Sequence, residues 1–314
     1  MVALLIGATP APNLGLSAAI RFYTLGEYHK AVETLLSQSR AKPQAADLKL
    51  WLGKSYFRLR RWDESIREFE NATQIDPSSG IYHLWLGRAF GRKAEHAPFF
   101  LAMGPARRVL KEFETAVRLS PDNIDARFDL LEYCLSAPGI LGGGHDRAKK
   151  QIEEIERINS RLGYTARSRL YEDEKKYDPA RDELFKATVE FPTQAASFVD
   201  LADYYFRRMD YANAEPNAKR ALELARSPNH KAQLILSASR VRLLKTLPEA
   251  EKSLNALSSG PLEDDDPPYE DIFYWLGQAR LALGKKEEAR QAFESSLRFN
   301  PDHSRAKAAM AQLC

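Results

Sequence analysis

The sequence predicts an all-α fold, a right-handed α-α superhelical solenoid of about eight helix-turn-helix hairpins with a C-terminal capping helix. Three observations predict it. In residues 48–77, LKLWLGKSYFRLRRWDESIREFENATQIDP, Trp51, Leu52 and Tyr56 and then Ile66, Phe69 and Ala72 fall at helical spacing. The polar Arg60-Arg61-Trp62-Asp63 turn separates these two amphipathic halves. Pro77 ends the second, because proline lacks an amide hydrogen and clashes with a continuing helix. The small residue of the second helix then recurs at Ala31, Ser65, Val109, Ala148, Ala180, Ala214, Ala250 and Ala289, at gaps of 34, 44, 39, 32, 34, 36 and 39. A repeat of roughly 20 to 50 residues marks a stacked array. Finally, 44% hydrophobic and 28% charged residues supply a core and a polar surface, and no apolar run of about 18 residues would cross a membrane.

The hairpins follow in order. Residues 1–12 are an apolar segment before the array, and the single solenoid occupies 13–314. The first hairpin carries Gly26, Tyr28, Ala31, Leu35 and Pro43, and the second is the stretch above. In the third, Leu86, Gly87 and Phe90 keep register with Gly53, but an insertion near 91–105 delays the second helix until Phe113, Ala116 and Pro121. The fourth opens at Ile124 and has an insertion near 136–145, SAPGILGGGHDR, before Ala148, Ile152 and Ile155. The fifth is compact, with Tyr164, Tyr171, Tyr177, Ala180, Ala187 and Pro192 in place, and Pro179 in a first helical turn, where proline is tolerated. The sixth shows Leu201, Ala202, Tyr205, Ala214, Ala218 and Ala221, while the seventh keeps only Ala238 and Ala250, with Leu257 where alanine is usual. An aperiodic acidic linker, near 259–270, reads as solvated. The eighth is strong again at Phe273, Leu276, Gly277, Gly284, Ala289, Phe293 and Pro301, and DHSRAKAAMAQLC reads as the cap that covers the last apolar face of an open, curved array.

Leu52, Gly53, Tyr56, Ser65, Phe69, Ala72 and Pro77 resemble the signature of the tetratricopeptide repeat family, of the bacterial type. The Ala137-Pro138-Gly139-Ile140-Leu141-Gly142-Gly143-Gly144 turn is similar to one in a group of bacterial repeat proteins, a resemblance that implies no enzymatic activity. Some members of the family grip chaperone tails with a two-carboxylate clamp of lysine, asparagine and arginine on successive first helices. The corresponding positions here are Leu50 and Lys54, Trp85, and Asp125 and Asp129, so the acidic pair has the wrong sign for a carboxylate.

Charge and motifs narrow the function. The net charge of +3, from 46 basic and 43 acidic residues, gives no global reason to expect nucleic acid, whose affinity rests largely on phosphate neutralisation. An RNA-reading array would also need base-reading polar pairs at fixed positions, and no such code recurs. The six histidines are scattered, with no zinc spacing, and Gly53-Lys54-Ser55 lacks both the upstream glycine and the strand of a phosphate loop. Cys134 and Cys314 lie too many hairpins apart to bridge. Gly142-Gly143-Gly144 beside His145 and Arg147 could form an anion nest, although a lengthened turn is the commoner use of such a run. No cofactor is expected and the chain is not read as an enzyme; a site hidden near the insertions is the weaker alternative.

The remaining expectation is a protein or peptide partner on the concave face, with no nucleic acid and no integral membrane insertion. Trp51, Lys54, Phe57, Arg58, Trp85, Arg88 and Arg92 are placed there as a basic, aromatic patch, bordered by Asp129 and Glu132 and then by Asp203 and Phe206. Aromatics and arginine are enriched in binding hot spots, and such a patch suits a peptide of mixed charge. The alternative is a component of a cell-envelope assembly or secretion complex. Residues 1–12 resemble the tail of a secretory signal without its basic start, which would place the protein in the periplasm or cell envelope; otherwise it is cytoplasmic.

Overall fold

Small residues at fixed intervals let pairs of helices touch, and the computed structural model, which describes residues 14–313, shows how. Eight antiparallel pairs follow one another: α1 (Leu14–Thr24) with α2 (Tyr28–Ala41), α3 (Ala46–Arg58) with α4 (Trp62–Ile75), α5 (Gly80–His96) with α6 (Phe99–Leu119), and α7 (Ile124–Ser136) with α8 (His145–Ile158). They continue as α9 (Ser160–Asp173) with α10 (Tyr177–Glu190), α11 (Ala195–Arg207) with α12 (Tyr211–Leu224), α13 (His230–Arg242) with α14 (Leu247–Ser259), and α15 (Tyr269–Ala282) with α16 (Lys286–Phe299). A last helix, α17 (Ser304–Ala311), packs on α16. The described residues contain no strand, so the fold is the predicted all-helical solenoid. Residues 1–12, on which the signal reading rests, lie outside them, as does Cys314; Cys134 is a buried free thiol.

Gly53, Gly87 and Gly277 occupy one position of the first helix in three hairpins, and a Cβ on any of them would run into the ring of Phe69, Phe113 or Phe293. The missing side chain is what lets that phenylalanine fill the space between helices. Ser65, fully buried in α4, donates its hydroxyl to the Gly53 carbonyl at 2.9 Å and ties the pair together. The core is therefore a series of clusters strung along the array, each shared by successive hairpins, as expected for a solenoid. The turn inside each of the six hairpins without an internal insertion places a residue in the left-handed region, Gly26, Arg60, Lys175, Met209, Leu244 and Gly284, and the seventh hairpin adds Thr246. Thr246 apart, the amide of each of these residues and the next one bond back to the end of the first helix, the usual way of satisfying those carbonyls.

The extra residues near 91–105 form no loop. They lengthen α5 to 17 residues and α6 to 21, against 13 or 14 in the hairpins that follow, with only Ala97 and Pro98 between them. The glycine run after α7 makes a short 3-10 turn (Gly139–Leu141) and then a tight return with Gly142 at φ +89 and Gly144 at φ +140. The amides of Gly142, Gly143 and Gly144 donate to the carbonyls of Gly139, Pro138 and Cys134. His145 pairs with Asp173 at 2.7 Å, and Arg147 pairs with Glu114. An anion nest needs free amides and cations, so this stretch is a structural turn.

The acidic linker departs most from expectation. Glu263 and Asp265 are exposed as expected, but Leu262 and Asp264 are anchored against the first two hairpins, and the segment closes the array. Between α14 and α15 the chain crosses to the first two hairpins: the Leu262 amide donates to the Thr24 carbonyl at 2.7 Å, with the Leu262 side chain buried. The Tyr269 hydroxyl bonds the same carbonyl at 2.9 Å. Gly26 sits against the rings of Tyr269 and Phe299, where a Cβ would collide, and Tyr28 meets Phe299 edge-on at 6.1 Å. Arg60 pairs with Asp302 at 3.0 Å. The first and eighth hairpins thus touch, and the array is one closed turn.

Candidate functional site

The first helices of hairpins two, three and four, α3, α5 and α7, turn their polar faces toward the inside of this turn. Together with the linker they enclose a groove of about 640 Å³. Phe57, Arg58, Trp85, Arg88, Arg92, Asp129 and Glu132 line it, with Asp264 and Asp265 of the linker along one side. A second groove, of about 510 Å³, is lined by Asp203, Phe206, Lys231 and Trp275, and by Asp265, Asp266, Pro267 and Pro268 on the other side of the same linker. The structure thus divides the sequence-derived residues between two chambers.

Trp51 and Lys54 do not form an open surface. Lys54 is only 7% exposed; its ammonium lies 4.4 Å from the Trp51 ring and 4.7 Å from the Trp85 ring, and bonds the Asp264 carboxylate at 2.6 Å. Tyr23 donates its hydroxyl to the same carboxylate at 2.7 Å, and Arg58 reaches both the Tyr23 oxygen, at 3.1 Å, and the Asp264 carbonyl, at 3.2 Å. Burial alone would raise the Asp264 carboxyl, but Lys54, Tyr23 and Arg58 more than reverse this and hold it below the usual carboxylate range. Burial likewise pushes the Tyr23 phenol far up. The expectation that Lys54, Trp51 and Trp85 stand exposed is corrected: linker and core cover Lys54, Trp51 is half-buried, and Trp85 is buried against Phe57 and Phe69.

The charged residues of the inner face pair with one another from hairpin to hairpin. Arg88 bonds Asp129 at 2.5 Å, Arg169 meets Glu132 at 3.5 Å, Arg207 bonds Glu172 at 3.0 Å, and Lys231 meets Asp203 at 3.3 Å. Arg92 pairs within its own helix with Glu95 at 2.8 Å. Burial raises Asp129 despite Arg88, and it raises Glu132 despite Arg169 and Arg207. Asp203 differs, because Lys231, Arg207 and Arg169 outweigh its burial and hold it low. Phe206 packs against the rings of Tyr211 and Trp275 beside the second groove.

Sequence reading missed Asp264, Asp265 and Tyr23. The only local signal was a buried-type leucine and tyrosine flanking the acidic run, Leu262 and Tyr269, which hinted that the segment is anchored at both ends. Among the described residues no cluster of histidine, cysteine and carboxylate could hold a metal ion, and no helix is long and apolar enough to cross a membrane.

Hairpin geometry and an inward-facing set of charged and aromatic side chains define a helical-repeat solenoid. Family models described as tetratricopeptide repeat match residues 16–80, 52–106 and 261–313, at both ends of the array, and the same hairpin continues between them. The chain carries tetratricopeptide repeats at both ends of its array. None of the curated proteins matches the sequence. Among solved structures it is similar to yeast Tom70, at 16% identity and a TM-score of 0.61, over 91% of this chain but 58% of that one, a likeness of fold. A tetratricopeptide repeat protein from Parabacteroides merdae is 14% identical over 96% of this chain and 97% of its own, with a TM-score of 0.47. YrrB, described as having an unusual peptide-binding site, is 16% identical over 77% of this chain and 97% of its own, with a TM-score of 0.38. The family's repeats serve as scaffolds for protein or peptide binding.

Proposed function

We propose that this protein is a non-catalytic scaffold that holds a protein or peptide segment inside its closed turn, in the groove between α3, α5, α7 and the linker. The observation that carries the reading is the groove itself. Three successive hairpins bring apolar and charged side chains to one concave space of about 640 Å³, a size that accepts a cluster of partner side chains. Phe57 is half-buried and Arg92 exposed, so each offers surface to a partner. Concave placement with aromatics and arginine at the centre is how binding energy concentrates at interfaces.

Affinity capture with the wild type, with Phe57→Ala and, separately, Phe57→Ser, and with Arg220→Glu tests this. Arg220, on α12, lines neither groove. Partners retained by the wild type and by the Arg220 variant should be lost from both groove variants. A catch that the groove substitutions leave intact removes the proposed site.

A further inference from the structure

The groove lined by Phe57, Trp85 and the carboxylates of α7 is short of positive charge. Six carboxylates and three guanidiniums line it. Each guanidinium is already engaged: Arg58 by the linker, Arg88 by Asp129 and Arg92 by Glu95. On the acidic side Asp125 and Asp265 are exposed and form no ion pair among the described residues, and Glu132 has only the long contact from Arg169. We infer that the groove accepts a lysine or arginine side chain from a partner peptide, seated among Asp125, Glu132 and Asp265 with its aliphatic stem along Phe57. This rests on reading the groove as the partner-binding surface, and it replaces the mixed-charge peptide expected from sequence with a basic one.

A further observation agrees. Glu132 stays open to the lumen, yet surrounding protein raises its carboxyl; Arg169 and Arg207 pull it down, while Glu172 and Asp129 push it further up. A long basic side chain can lay its methylenes on an aromatic wall while its head reaches the acids.

The test is calorimetric titration of the full chain with synthetic peptides of equal length, each with one leucine and one tyrosine, made Lys/Arg-rich, Glu-rich or Ser-rich. The Lys/Arg-rich peptide should bind, more weakly as salt is raised, and Asp125→Asn plus Glu132→Gln should weaken it about tenfold. Both positions are exposed, and an unchanged thermal melt would show that the variant folds. Asp265→Lys, on the linker, is a second variant with the same expected direction. Tighter binding of the Glu-rich or Ser-rich peptide overturns the inference; if Phe57→Ala abolishes that binding, the scaffold reading survives. Lys/Arg-rich binding indifferent to all three carboxylates also overturns it, and binding of no peptide at all removes both readings.

Discussion

Asp264 gathers partners from the opposite end of the chain: Lys54 and Tyr23 lie 210 and 241 positions away. Removing its charge leaves the Lys54 ammonium buried beside two indoles. Breaking a buried pair this way costs about 3 to 5 kcal/mol, and the partial exposure of Asp264 brings the expectation for Asp264→Asn to about 2 kcal/mol at neutral pH, read from denaturant melts. Because the folded carboxyl titrates below its ordinary value, its contribution is complete above the unfolded value of about 3.9 and disappears as pH falls through the folded one. Wild type and variant should therefore differ fully at pH 7 and converge in strong acid; equal melts at pH 7 would contradict the role. At this scale the sequence was legible where a period spoke, as at Gly53 and Gly87, whose phenylalanine partners follow from hairpin register. It was misleading at Lys54: helical spacing says which face a residue occupies, and nothing about what a distant segment lays over it.

The hairpin turns show a conflict between backbone and side chain. The left-handed residue is glycine in hairpins one and eight but Arg60, Lys175, Met209, and Leu244 with Thr246 elsewhere. Met209 and Leu244 are 73% and 72% exposed, so their side chains gain little that offsets the strain. Leu244→Gly should raise stability by about 1 kcal/mol, since glycine adopts this conformation without a Cβ clash. A thermal melt that falls would show that the leucine contributes contacts outweighing the backbone term. The insertions were legible as extra residues because the repeat slipped, but their form was not. Those near 91–105 carry α5 on to His96 and start α6 at Phe99, so that Gly104 and Pro105 lie inside a helix, and a slipped period does not say how extra residues are shared between two helices. The three glycines after α7 were rightly weighted toward a turn, since their amides are consumed by it.

In an open solenoid stability is nearly a sum of repeat and nearest-neighbour terms, and the ends fray first. Here the linker, Tyr269, Phe299 and Asp302 join the last hairpin to the first two. Replacing residues 262–266 by a glycine-serine segment of equal length should release that joint. The expected result is a larger radius of gyration in solution scattering and faster amide exchange in α1 and α2 than in the unmodified chain. Unchanged scattering and exchange would mean that the aromatic contacts alone keep the turn shut. No period or motif announced this closure, because it depends on the accumulated curvature of eight hairpins.

The position of the linker also bears on how long a guest can be. Asp265 borders both chambers, so a short segment fits on either side without disturbing anything, whereas one that runs through both must first pull Asp264 away from Lys54 and Tyr23. The work of that displacement is subtracted from the longer guest's affinity alone. In the binding mode proposed above, this partition acts as a ruler that favours chain ends and tight loops over extended strands.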